Sequence, residues 1–184
     1  METLEQMRRN VADLHWLATL LTGCRETATE VTFQALGPAD NADTFFSNWM
    51  LAWSRRNVIA RALAAVREDL ARSARHLATV PFTDRGLPSP SWTLERITRS
   101  ELEQALVSIA VFPRAAVLLL AFERVPLKDA AILLDAEPDL VRAGMAAGAR
   151  ELTINLARMQ SWHSAVLGSD EDWEGDRVRS TIGS

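Results

Sequence analysis

Apolar residues recur at helical spacing along most of the chain, and stretches of Gly, Pro and small polar residues cut that rhythm into segments. Val11, Leu14, Leu17, Ala18 and Leu21 share one helical face, and Thr22-Gly23 ends the run with the residue type best suited to a left-handed cap. A second helix is predicted from about Arg25 to Leu36, closed by Gly37-Pro38. The polar run Asn41-Ala42-Asp43-Thr44 leads into the longest periodic segment, from Phe45 to about Leu77. Phe46, Trp49, Met50, Trp53, Val58, Leu63, Val66 and Leu70 lie there on or near one stripe.

Between Thr79 and Arg99 the rhythm fails, with Pro81, Pro88, Pro90 and Gly86 marking an irregular linker. Ser100 with Glu103 fits a capping box, predicting a helix through Val111. Pro113 to Phe122 gives the next helix. Pro126 then stands at the entrance of an apolar helix carrying Ala130, Ala131, Leu133 and Leu134. Asp135-Ala136-Glu137 breaks the pattern, and Pro138 opens a longer helix with Val141, Met145, Leu152 and Leu156 mostly on one face. A turn of this length forces its helices to cross steeply, which is the outline of a helix-turn-helix.

No alternating strand pattern competes. The expected fold is all-α: two small helical domains, 1–78 and 100–158, joined by a linker at 79–99, the second ending in the helix-turn-helix. Residues 159–184 are rich in Ser, Gly and acids and are expected to form a flexible tail.

Composition narrows the function. The chain is 48% hydrophobic and 24% charged over 184 residues, enough for one ordinary core or two small ones. A single cysteine, Cys24, excludes an internal disulfide, and with His15, His76 and His163 it makes no metal-ligand spacing. There is neither a Ser, His and Asp constellation nor a phosphate-cradling Gly-rich loop, so no catalytic residue, metal or cofactor is expected. No apolar run approaches the roughly 20 residues that span a bilayer, and the start Met1-Glu2-Thr3-Leu4-Glu5 lacks a signal-peptide pattern. A cytoplasmic protein is expected.

The net charge of -4 and isoelectric point near 5.4 weigh against unaided nucleic-acid binding, which rests on cations neutralising phosphate. The charge is uneven, however. From Asn41 to Ala78 six arginines (55, 56, 61, 67, 72 and 75) face three acids, whereas from Gly168 onward five acids face two arginines. Trp49 and Trp53 lie four apart with Arg56 nearby, an arrangement suited either to stacking an unpaired base or to core packing. The arginine run either tracks a nucleic-acid backbone or forms a solvated face. Glu26 and Glu30 repel each other at i, i+4, as on a surface facing a basic partner or on a simple exposed face. The helix opening at Pro138 offers only Arg142 and Arg150 as cations in its first turns.

Taken in order, LHWLATLLTGCRETATEVTFQAL, FFSNWMLAWSRRNVIARALAAVRED and the stretch from Glu101 to Leu156 resemble the extracytoplasmic-function sigma factors of bacterial RNA polymerase. The resemblance spans roughly Val11 to Leu156 and implies binding to core RNA polymerase and promoter DNA, with an anti-sigma protein as a further partner. It puts Glu26, Glu30, Phe33 and Gln34 on the polymerase-facing helix, with Glu30 where the family has Asp and Phe33 where it usually has Gln. Trp49, Trp53, Arg55, Arg56, Asn57 and Arg61 fall on the promoter-melting helix, and Lys128, Arg142 and Arg150 in the minus-35 reader. The chain departs from the family at Asp135, where a turn Gly is expected. It departs again at Gly144, Ala147 and Ala149, where basic or polar residues are common. These departures imply weakened phosphate contact and helix destabilisation of about 1 kcal/mol per glycine relative to Ala. A sigma-like interaction protein, binding an anti-sigma factor or polymerase without productive promoter recognition, fits the same departures.

Overall fold

The computed structural model describes residues 4–36, 48–79 and 97–179, with side chains at 5–36, 52–79 and 97–160. Among these residues the chain is all-α. Eight helices follow one another: α1 (Leu4–Thr22), α2 (Arg25–Leu36), α3 (Asn48–Ala65), α4 (Arg67–Thr79), α5 (Arg99–Val107), α6 (Val111–Val117), α7 (Leu127–Leu134) and α8 (Pro138–Arg179), with a π-helical turn at Leu118–Phe122 after α6.

Local chemistry accounts for most of these limits. Gly23 takes φ +73 and its N–H reaches the Thr19 carbonyl at 2.8 Å, closing α1 as a left-handed cap. The predicted helix from Phe45 to Leu77 is two helices that meet at Val66; residues 45–47 lie outside the described range. The junction is a bend rather than a rupture, since Val66 N–H still bonds Ala62 O at 3.2 Å and Val66 O accepts from Leu70 at 2.8 Å. Glu68 and Asp69 in the first turn of α4 suit a new helix N-terminus.

The capping box before α5 is Thr98 with Glu101, not Ser100 with Glu103. The Thr98 hydroxyl accepts from Glu101 N–H at 3.2 Å, and the Glu101 carboxylate accepts from Thr98 N–H at 2.7 Å. Both residue pairs have the required spacing; the choice falls on Thr98 because Glu103 is engaged by Trp16 and Arg25 across the fold. α5 stops at Val107 and α6 begins at Val111, where a single helix through Val111 was expected.

The two helical sets expected on either side of the linker share one apolar cluster. Leu14, Leu17 and Leu21 of α1, Val31 of α2, Val58 of α3 and Leu70 of α4 join Leu106, Phe112, Leu118, Ala130, Leu134 and Val141. Every residue of α6 from Phe112 to Val117 is buried, and α6 touches α1, α4, α7 and, most extensively, α8. Two glycines make that crossing close. A Cβ on Gly144 would sit 2.8 Å from the Phe112 ring, and one on Gly148 would sit 2.6 Å from Pro113 O and 2.7 Å from Val117 Cγ2. The backbone of α8 continues for 42 residues to Arg179, through much of the segment expected as a tail from 159.

Candidate partner-facing and nucleic-acid-facing surface

Polar contacts seal the seam between the early and late helices. Arg114 is 3% exposed, and its guanidinium donates to Val107 O at 2.8 Å, Ile109 O at 3.2 Å and Leu21 O at 3.3 Å. It thereby serves the carbonyl-rich ends of α1 and α5, where a cation is favoured. Burial pulls its pKa below the usual arginine value, and its Nε is buried without a partner. Nearer the surface, Trp16 Nε1 donates to Glu103 at 3.1 Å, Arg25 pairs with Glu103 at 2.7 Å, and Arg99 pairs with Asp13 at 3.1 Å while standing 4.4 Å from the Trp16 ring centre. The N–H of Phe112 donates to Ser73 Oγ at 3.1 Å.

Helix α3 carries most of the expected nucleic-acid residues. Trp53 is 50% exposed, so half of its indole faces solvent. Trp49 stands one turn earlier on the same helix, with its side chain outside the described set. Arg56 and Arg61 are exposed, and Arg55 is half-buried.

The neighbours of these residues are less expected. Arg55 makes a two-pronged ion pair with Glu123 through Nε and, at 2.6 Å, Nη2, with the carboxylate largely buried. Hydrogen bonding to Glu123 raises the Arg55 pKa against the opposing effect of burial. Asn57 donates to Ala35 O at 3.1 Å, capping the end of α2, and accepts from Arg61 Nε at 3.2 Å. Arg61 also donates to Gln34 at 3.2 Å, and Gln34 donates to Glu30 at 3.2 Å. The expected polymerase-facing and promoter-facing residues are thus joined by side-chain hydrogen bonds.

On α2, Glu26, Glu30, Phe33 and Gln34 are all exposed, at spacings that keep them on one face, while Ala28, Val31, Thr32 and Ala35 are buried. Phe33 is 76% exposed, an aromatic ring standing among carboxylates.

The α7, turn and α8 segment has a well-formed junction. Asp135 takes φ 51, ψ 50, with Asp135 N–H bonding Ile132 O at 3.2 Å and Ala136 N–H bonding Ala131 O at 3.1 Å, a Schellman closure. Asp tolerates this left-handed conformation better than most residues with a side chain, which reconciles its presence where a turn Gly was expected. Lys128 and Arg142 are exposed, but Arg142 pairs with its own neighbour Asp139. Arg150 is half-buried, and its Nε is buried without a partner. Gly144 is not a vacated outward position, because it lies buried against α6. On α7, Leu133 is 37% exposed, and its neighbour Ile132 is 78% exposed.

Sequence reasoning did not find Glu123, Glu103, Trp16, Arg99 or Arg114 as organising residues. Each has a partner 68 to 93 positions away, and no local spacing signals such pairs. Among the described residues no group of three or more His, Cys, Asp and Glu is placed to hold a metal ion. None of the helices searched among them is long and apolar enough to cross a membrane. No protein-family model, curated protein or solved structure matches the chain.

Proposed function

We propose that the chain is a sigma-like transcription-initiation factor of two helical domains, acting in the cytoplasm by binding and strand separation rather than covalent catalysis. It binds core RNA polymerase through the outward face of α2 and holds an unpaired promoter strand on α3. The α7–turn–α8 segment is its helix-turn-helix and touches the minus-35 region. The observation that carries this reading is the half-exposed Trp53 with the exposed Arg56 three residues on, together with the exposed face of α2 made by Glu26, Glu30 and Phe33. An indole half out of the core is available to stack a base, and the adjacent guanidinium to hold its phosphate. Stacking is worth about 1 to 3 kcal/mol per base, enough to offset much of the unstacking that melting requires.

A second reading is favoured by the other end of the molecule. The ion pair of Arg142 with Asp139 and the packing of Gly144 and Gly148 against α6 leave α8 poorly equipped to grip phosphate. A sigma-like protein that binds polymerase or an anti-sigma factor without productive promoter recognition fits that helix.

Reconstitution with core polymerase separates the two. Open-complex formation on promoters selected from genomic DNA is expected for the wild type and is lost in the Trp53→Ala, Arg56→Ala double variant. Polymerase binding without opening on any selected promoter would falsify the first reading and leave the second.

A further inference from the structure

A trough runs between α3 and α4 on one side and α7 on the other, continuing to the start of α8. Three adjoining hollows of about 690, 1060 and 260 Å³ make it up, and Ile132 borders all three. Alanines 60, 71 and 74, with Leu133, give it apolar walls. Around the rim stand Arg56, Arg67, Arg75, Arg124 and Lys128, all exposed, against the exposed acids Asp129, Asp135 and Glu137; Arg55 and Glu123 neutralise each other. An isoleucine 78% exposed at the centre of such a trough is an apolar surface that the described residues leave uncovered.

The chain contains a segment of matching chemistry. In the sequence Trp162, Val166 and Trp173 fall at spacings that align them on one helical stripe, and Gly168 to Asp176 carries five acids and no Lys or Arg. This segment belongs to α8, which runs unbroken from Pro138 to Arg179. Pro138 and Leu140 themselves line the trough. Trp173, about 35 residues further on, is therefore roughly 50 Å from it along a helix rising 1.5 Å per residue. The acidic end cannot fold back into its own trough while α8 is continuous.

We propose that the trough receives the acidic, tryptophan-bearing end of α8 from a second copy of this chain. Two α8 helices running antiparallel bring each acidic end to the other copy's trough, so one two-fold axis fills both sites at once. The stripe covers Ile132 and Leu133, and the carboxylates meet the arginine and lysine rim. Arg56 and Lys128 stand on the rim, so docking competes with the proposed promoter contacts, and sedimentation reads self-association alone.

Sedimentation velocity on the full chain tests it. A concentration-dependent dimer is expected, weakening as salt rises from about 0.05 to 0.5 M. Ile132→Asp and Trp173→Ala should each raise the dimer dissociation constant about tenfold or more. Ile132 is exposed, so Ile132→Asp should retain the wild-type circular dichroism and melting temperature. Arg75→Glu with Lys128→Glu should weaken the dimer, and adding Asp170→Lys with Asp172→Lys should restore it. A chain monomeric at every concentration overturns the proposal, including one whose Trp173 is shielded from a soluble quencher by docking in cis. A dimer indifferent to both Ile132→Asp and Trp173→Ala overturns it as well.

Discussion

Helix α3 and the first turns of α8 are the two places where the proposed function puts nucleic acid, and they are built in opposite ways. α3 keeps bulky, polar-tipped residues outside: Trp53 is half in solvent and Arg56 and Arg61 are exposed. α8 turns its smallest residues inward, with Gly144 and Gly148 letting α6 approach and Arg142 held by Asp139. One helix leaves aromatic and cationic side chains in solvent on a packed support; the other uses its small residues to pack against α6. The contrast teaches that a helix poor in cations need not have lost them from a contact surface, because positions such as Gly144 and Gly148 face the core.

The sharpest way to break the comparison is to crowd the α6–α8 crossing. Gly148→Leu places a side chain where even a Cβ meets Pro113 O at 2.6 Å, so we expect a loss of about 3 kcal/mol and a fall in Tm of about 6 to 12 °C by calorimetry. An equal Tm for this variant and wild type would show that α8 does not depend on close contact with α6.

Arg114→Leu comes next. It removes the donors of the Leu21, Val107 and Ile109 carbonyls but also relieves a buried cation, for a net loss of about 2 kcal/mol in denaturant unfolding. Arg142→Leu, at an exposed pair within one helix, should stay within about 0.5 kcal/mol of wild type.

The functional half of the comparison is read by fluorescence anisotropy on a single-stranded promoter segment in the presence of polymerase. Trp53→Ala with Arg56→Ala is expected to weaken binding about tenfold, equivalent to about 1.4 kcal/mol. Arg142→Ala should change it less than about threefold. Equal losses from both would mean that α8 contributes as much as α3.

The smallest expected effect concerns the ion pair that holds Arg55. Glu123→Gln keeps the shape but removes the charge, freeing the guanidinium; strand affinity should rise about two- to threefold while stability falls by about 0.5 to 1 kcal/mol. Unchanged affinity would place Arg55 outside the strand-binding surface.

Parts of this were legible in advance for local reasons. Glu26 and Glu30 face outward on α2 as one reading of their like-charge spacing has it, and Phe33 and Gln34 are exposed beside them in sequence. α2 starts at Arg25 as expected, its expected close at Gly37-Pro38 lying outside the described residues. Gly23 caps α1 because a left-handed residue suits glycine. The cap of α5 was misassigned because two Ser/Thr-x-x-Glu pairs overlap there, and only the contacts of Glu103 with Trp16 and Arg25 separate them. The stripe from Phe45 to Leu77 concealed a bend, since a periodic pattern carries through a junction that preserves its hydrogen bonds.

The amino-acid sequence by itself determined the all-α character, most of the helical segments and the glycine cap of α1, because helix periodicity and capping act within about four positions. Tertiary structure alone decided which charges are engaged across the fold. It set Arg55 on Glu123 across 68 positions and Arg114 on Leu21 across 93, and it gave Gly144 and Gly148 their place under α6. Such choices depend on which helices meet and how closely, and chain-distant contacts of that kind leave no periodic mark in the sequence.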